Sequence, residues 1–494
     1  VWYFQAEDRR GLADRASRQL APRRQRMAGR SALWIPCMDS AAASVEAEIA
    51  DALSNADSSK NMIGKAEFLC RTKAKAEHHT AAYLQQMMKL GCSCAWDRLH
   101  ATTDDAVTEA AIEAFVNLYE DDFLYRDICI ADWCPNCRAV LPETEICRTE
   151  QTGENWHLRY PFTDGSGYLF LTTARPETIL ADAAVAVNPK DLRYQNIIGK
   201  SVIVPLTNRK IPVLSDDSVS MDNGTGVRRV TPACDTKDYI IAKQRRLPVP
   251  ELLTADAVVS DSIAAYSGTP WEQARESIMR DLKDGGFLVK SEPIQMMKAI
   301  CRSCKTEVMP HLRKQWFLRT AAMAESAVEA IKEARIQFSP ANASERCLAY
   351  FNNAPDQQIS RPNWHGIPIP AFYCDSCDEM TVTAESHANC PKCGKSMRQD
   401  PDTLKTGFAT ALLPFAALGF PYRTDDLQYF FPTDAIITGD DLLTPFVSGM
   451  ISGSMRHTDE IPFKQVILHG LLRDASGKKI TAERHNGLDP MALI

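Results

Sequence analysis

The sequence predicts an α/β protein: a core on a parallel sheet, interrupted by a β-rich insertion and braced by cysteine-held metal. Three observations carry that reading. Strand-like runs, AIIT at 435–438 and QVILHG at 465–470, alternate with segments of helical periodicity, as in a parallel sheet with helical crossovers. From Trp156 the texture changes to short alternating runs, GYLFLTT, KSVIVPL and RKIPVL, broken by Gly, Pro and Asp-Asn-Gly, which is how a compact β unit reads. Four Cys-x-x-Cys pairs take up eight of the sixteen cysteines.

Taken in order, the apolar spacing from Arg9 to about Val140 is mainly helical. LWIP (33–36) is an exception that predicts a buried strand, and AAIEAFVNLYEDDFLYRD (110–127) predicts the clearest amphipathic helix. The stretch from Arg9 to Arg30 holds eight arginines against one acid, Asp14. Arg15, Arg18, Arg23, Arg26 and Arg30 are candidate RNA-phosphate contacts, and a solvated helix face is the alternative. After the β-rich run, helical periodicity returns in TPWEQARESIMRDLKDGG and AAMAESAVEAIKEARI.

A Cys-x-x-Cys turn aims two thiolates at one tetrahedral centre, and two such turns close a Zn(II) site. Cys374/Cys377 and Cys390/Cys393 lie twelve residues apart among small and polar residues, the spacing of a zinc ribbon. Cys134/Cys137 and Cys301/Cys304 are more than 160 residues apart. A shared metal there requires the intervening chain to leave and return to one point, so the insertion sits on a zinc-tied neck. Redox-active Cys-x-x-Cys is the poorer alternative, because no thioredoxin-like βαβ pattern surrounds either pair.

With 494 residues the chain exceeds one core, and 45% apolar with 24% charged residues and no long apolar run exclude wholesale disorder and a membrane span. A net charge of -7 does not advertise nucleic-acid binding beyond the arginine-rich patch. The start at Val1 fits either organellar processing or an upstream segment. Four regions are expected: 1–150, the first part of the core with one zinc-knuckle half; 151–335, the insertion with the other half; 336–400, a connection and zinc ribbon; 401–494, the last part of the core.

Long motifs now make the chain resemble the valyl-tRNA synthetases: RMAGRSALWIP, LGCSCAWDR, WCPNC, LTTARPETILADAAVAVNP, NGTGVRRVTPACDTKDY, DPDTLKTGFATALLPF, ITGDDL and HGLLRDASGKK. The resemblance implies a Rossmann-type class I core, an inserted editing (CP1) domain that hydrolyses wrongly charged tRNA, and two structural zinc sites. It also implies that Arg175, Thr178, Arg229, Thr231, Asp235 and Asp238 form the editing pocket, with Asp238 holding an α-amino group and the cations facing the tRNA end. Ala174 and Cys234 depart from the family there. These residues either hydrolyse an ester or merely keep the small barrel folded.

The synthetic site departs further. Lys479, Ile480, Thr481, Ala482 and Glu483 stand at the KMSKS positions, so the second lysine is lost. One preorganised cation of that kind is worth about 3–4 kcal/mol of transition-state stabilisation. The HIGH-type signature falls on Asp8-Arg9-Arg10-Gly11, with neither histidine. Pro36–Ala42, His365–Pro370 and Lys405–Phe408 replace further pocket motifs. The expectation is therefore a degenerate synthetase-like paralogue that lacks an anticodon-binding domain and does not bind ATP productively. It would hold two zinc ions and serve as a structural or RNA-contacting subunit, with RNA and protein partners, no membrane association and a mitochondrial location, a mitochondrial ribosome for example. Hydrolysis of Thr-tRNA(Val), or activity only beside another chain, are the alternatives.

Overall fold

The computed structural model describes residues 21–480 apart from 40–42, 57, 59, 138, 142–144, 223, 255, 303 and 472. Asp8, Gly11, Arg15, Arg18 and Ala482 lie outside the described residues. The chain forms two compact units, Val1–Asp127 with Gln315–Ile494, and Ile128–Lys314. The expected boundaries at 151 and 335 fall inside these units. The crossings occur within continuous strands, Leu124–Cys134 and Met309–Leu318, and alternation along a strand does not mark a boundary within it.

In the first unit a parallel sheet runs in the order Gln337–Ser339, Phe463–His469, Thr433–Gly439. The two strand-like runs at 435 and 465 are therefore adjacent, with Ile436 opposite Val466. Their buried side chains pack on helices Thr320–Lys332, Ala343–Asn353 and Ser448–Thr458 through Ala327, Ala330, Phe351 and Ile451. A second parallel pair, Cys37–Met38 with His100–Ala101, stands separately.

Two sequence expectations need correction here. Trp34 and Ile35 are fully buried as expected, but the strand begins only at Cys37. Before it, the carbonyls of Trp34 and Pro36 accept from Ala95 and His100, and Pro36 has no N–H to return to a ladder. The helix expected over 110–127 ends at Glu120. Asp122 takes a left-handed φ of 60°, and the N–H of Phe123 bonds the carbonyl of Leu118 at 2.8 Å. This is the 6→1 closure of a Schellman stop, after which Leu124 opens the strand.

The second unit holds a four-stranded sheet in the order Val227–Val230, Ala184–Val187, Lys210–Ser215, Ser201–Ile203. Helices Thr236–Arg245 and Trp271–Asp284 complete it. Beside it runs a long antiparallel ribbon, Ile146–Pro161 against Leu288–Cys301, paired from Ile146–Cys301 to Leu158–Leu288. Strand Tyr168–Thr173 covers only the 156–161 end of that ribbon. Further along, Glu150, Gln151, Thr152, Pro293, Gln295 and Met297 are all exposed. Among the described residues no helix is long and apolar enough to cross a membrane.

Candidate metal centres and the polar pocket of the inserted unit

The structure gathers the eight cysteines into the two groups the spacing predicts, Cys134, Cys137, Cys301 and Cys304 in the second unit, Cys374, Cys377, Cys390 and Cys393 in the first. Within each group all four sulfurs lie within 4.8 Å of one another. Separations include 3.3 Å for Cys134–Cys304, 3.9 Å for Cys137–Cys301, 3.5 Å for Cys374–Cys393 and 3.4 Å for Cys377–Cys390. Disulfide sulfurs would sit at about 2.05 Å. Tetrahedral zinc with bonds of about 2.3 Å sets its sulfurs about 3.8 Å apart, so each group could hold zinc.

Local backbone geometry explains the convergence. Lys305, Asp378 and Gly394, each following the second cysteine of its pair, adopt positive φ of 61°, 54° and 73°. Their N–H groups bond the carbonyls of Cys301, Cys374 and Cys390 at 2.9, 3.1 and 2.8 Å. Three turns of different sequence therefore repeat one fold, in which the left-handed residue turns the chain back and holds both sulfurs on one side. Crowding splits the thiols of each group: hydrogen bonds from Cys134 and Cys301 hold the Cys137 thiol well above its ordinary range and Cys390 foremost pushes Cys377 up to about 12, while Cys304 and Cys374 lie below the ordinary range and Cys390 falls to about 7. A bound dication brings the raised thiols down, since the thiolate is the ligand.

In the inserted unit, the RPET turn (Pro176–Ala181) and strand Val227–Val230 face a carboxylate that sequence reasoning missed, Asp182. Asp182 is fully buried and accepts from Arg229 Nε at 2.9 Å, Arg229 Nη2 at 2.7 Å, Thr231 Oγ1 at 2.7 Å and the Tyr160 hydroxyl. Arg229 Nη1 donates to Thr173 Oγ1 and the Arg175 carbonyl at 3.0 and 3.1 Å, and Nη2 also reaches Thr178 Oγ1 at 3.0 Å. Burial works to lower the guanidinium pKa, but the Asp182 carboxylate outweighs it and holds the group above its ordinary value. All three nitrogens of Arg229 are thus engaged inside the fold, which differs from the expectation that this cation faces the tRNA end.

Asp235 caps helix Thr236–Arg245, accepting from the N–H groups of Lys237 and Asp238 at 2.9 and 3.0 Å. Asp238 accepts from the Thr231 N–H at 2.9 Å on one oxygen and from Arg228 Nη2 at 2.5 Å on the other. Burial raises its pKa. Burial likewise pushes the Cys234 thiol up to about 12, which favours its neutral form. Arg175 reaches Glu307 at 3.1 Å, and Arg275 links Glu307 to buried Glu177 at 3.5 Å each. The six expected pocket residues are therefore brought into one neighbourhood, with Asp182, Arg228 and Tyr160 added to it. A strand period of two could have separated Arg228 from Arg229 in advance; Asp182 gave no signal inside the apolar run LADAAVAV.

Two of the candidate RNA contacts have other partners. Arg23 Nη2 donates to the Gly91 carbonyl at 2.5 Å. Arg26 donates to the carbonyls of Ala32 and Ser93 at 3.1 and 3.0 Å. Both fasten residues 21–27 onto the 90–95 loop, and both remain exposed, as Arg30 is. At the KMSKS position, Lys479 Nζ lies 2.5 Å from Asp441 Oδ2. Gly407, at the third position of the Lys405–Phe408 motif, lines a cavity of about 50 Å³ with Phe408, Gly449, Gly453 and His457.

Comparison with known proteins agrees with this architecture. The family profile "tRNA synthetases class I (I, L, M and V)" matches residues 14–494. The valine–tRNA ligase of Carboxydothermus hydrogenoformans is 39% identical over 482 residues, covering 97% of this chain and 55% of that protein. That of Thermotoga maritima is 37% identical over 474 residues, covering 96% and 55%. In backbone shape, the Agrobacterium radiobacter K84 LeuRS of a ternary complex with tRNA and LeuAMS aligns at a TM-score of 0.45 with 16% identity, over 100% of this chain and 66% of that one, a likeness too low to add to the assignment. The chain spans about half the length of the curated relatives it matches. The profile match across nearly the whole sequence, together with the cysteine centres and the interrupted parallel core, makes this chain a member of the class I tRNA synthetases of the I, L, M and V group.

Proposed function

We propose that this valyl-tRNA synthetase-like chain does not form aminoacyl-adenylate and instead serves as a structural or RNA-contacting subunit of a larger assembly, a mitochondrial ribosome being the first to test. The observation that carries the reading is the KMSKS-like stretch. Its first lysine, Lys479, is paired with Asp441, and its second position is Ala482. A nucleotide polyphosphate developing charge at this place meets a first-position lysine already paired with a carboxylate and an alanine in place of the second lysine, where each preorganised cation is worth about 3–4 kcal/mol. Asp8-Arg9-Arg10-Gly11 at the other signature supplies neither histidine. The two cysteine centres, which could hold zinc, give such a subunit its rigidity.

The test is valine-dependent ATP/pyrophosphate exchange by the purified chain. The expected rate lies at least ~10²-fold below that of a valine–tRNA ligase; accumulation of valyl-adenylate overturns the reading.

A second reading, hydrolysis of mischarged Thr-tRNA(Val), is favoured by the grouping of Arg175, Thr178, Thr231, Asp235 and Asp238. Incubation with Thr-tRNA(Val) separates the two: ester cleavage that disappears in Asp238→Ala supports hydrolysis, and no cleavage above the spontaneous rate removes it.

A further inference from the structure

Strand Tyr168–Thr173 alternates as a half-buried strand should, but its outward positions are unusual. Leu169 and Leu171 enter the core at 4% and 0% exposure, while Tyr168 and Phe170 stand outward at 47% and 48%. Outward positions of such a strand are ordinarily polar. Two large rings at i and i+2 on one face are about 7 Å apart along the strand.

The neighbouring strand places Arg159 opposite Phe170. Its guanidinium carbon lies 4.6 Å from the centre of the Tyr168 ring. The Arg159 Nε is buried without a hydrogen-bond partner, and among the described residues the side chain forms no ion pair. Apart from Pro161 opposite Tyr168, the neighbouring positions of the face are polar and electrically balanced: His157 opposes Thr172 in the register, and Lys290 and His157 both contact Glu292. Arg159 is therefore the uncompensated charge of the face, set between two accessible π-surfaces.

We infer that the outer face formed by Tyr168, Phe170 and Arg159 is a stacking platform for single-stranded RNA. The rings stack successive bases, and the guanidinium either joins the stack or meets a backbone phosphate. Charge and chemistry favour RNA over a protein occupant, because apart from Pro161, which lies opposite Tyr168, the rings are flanked by Arg159, Thr172, His157 and Lys290 rather than by the run of aliphatic side chains that builds an apolar docking patch. The inference rests on the RNA-contacting reading above and gives that reading a surface.

The experiment is fluorescence anisotropy of the full chain with a labelled single-stranded RNA 12-mer of mixed sequence and with the same sequence as a duplex, across a salt series. Alanine at Tyr168 or Phe170 is expected to weaken single-strand binding by about 5- to 150-fold each, with Phe170→Trp retaining it. Arg159→Ala is expected to weaken binding and lower the salt slope by about one. Tyr168 and Phe170 are about half exposed and Arg159 is partly exposed, and matching thermal melts establish that the variants fold. Wild-type RNA binding that is unchanged in the Tyr168→Ala/Phe170→Ala double variant overturns this site and leaves the RNA-contacting reading standing. Loss of co-purifying protein partners by that variant, with RNA binding intact, also overturns it in favour of a protein occupant. Failure of the wild-type chain to bind any RNA removes the RNA-contacting reading and this inference together.

Discussion

Replacing Asp182 by alanine is the sharpest probe of the inserted unit. The carboxylate is fully buried and holds two nitrogens of Arg229 together with the hydroxyls of Thr231 and Tyr160. Removing it strands a buried guanidinium and two buried hydroxyls. Breaking one side of a buried ion pair costs about 3–5 kcal/mol. In a unit of roughly 190 residues each kcal/mol moves the melting temperature by about 2–4 °C, so a fall of about 6–20 °C is expected. Scanning calorimetry measures it, and hydrogen exchange of peptides covering 178–187 and 227–233 assigns the loss to this unit. The double variant Asp182→Leu/Arg229→Met should be more stable than Asp182→Ala alone, because both charges leave together. A fall of less than about 2 °C, or strictly additive single and double effects, would refute the claim that this pair organises the pocket.

Two further outcomes are expected. Elemental analysis of the purified chain should find two zinc ions; Cys301→Ser and Cys390→Ser should each lower the count to one, because the groups share no ligand, and a count that stays at two removes the corresponding centre. His457 is packed against Phe415 and Phe420, and burial, with Arg456 adding to it and Asp121 opposing, lowers its pKa from 6.5 to about 4. The unfolded chain then binds a proton below about pH 6.5 that the folded chain refuses until about pH 4. The neutral ring's contribution is complete above pH 6.5 and falls away toward pH 4, by up to about 3 kcal/mol. Denaturant titrations of wild type against His457→Phe over that range should show this slope only in the wild type.

What the sequence made legible was local. The Cys-x-x-Cys spacing and the alternation of Leu169 and Leu171 with Tyr168 and Phe170 each depend on a few consecutive residues, and the structure keeps them. The stop of helix Asp105–Glu120 was missed because its left-handed residue is Asp122 rather than glycine, so the helical pattern of apolar residues seemed to continue. The anchoring of Arg23 and Arg26 was hidden by distance, since their carbonyl partners Gly91 and Ser93 lie 68 and 67 residues away. The pocket residues were found by resemblance, yet Asp182, which holds them together, is 47 residues from Arg229. A buried carboxylate is recognisable only once its partners are in place.

The long ribbon gives the cysteine centre of the second unit a mechanical meaning. At one end the ribbon is covered by strand Tyr168–Thr173 and at the other, Ile146–Cys301, it lies beside the four sulfurs, with an exposed middle that no third strand covers among the described residues. A bare two-stranded hairpin is marginal in water. Chelation would remove the cross-link at the Ile146–Cys301 end and leave it held only by the chain segments that run into strands Leu124–Cys134 and Met309–Leu318. Amide exchange should therefore accelerate from that end toward Trp156 while the four-stranded sheet stays protected, so that metal occupancy sets the stiffness of a ribbon far longer than the turn that binds the ion.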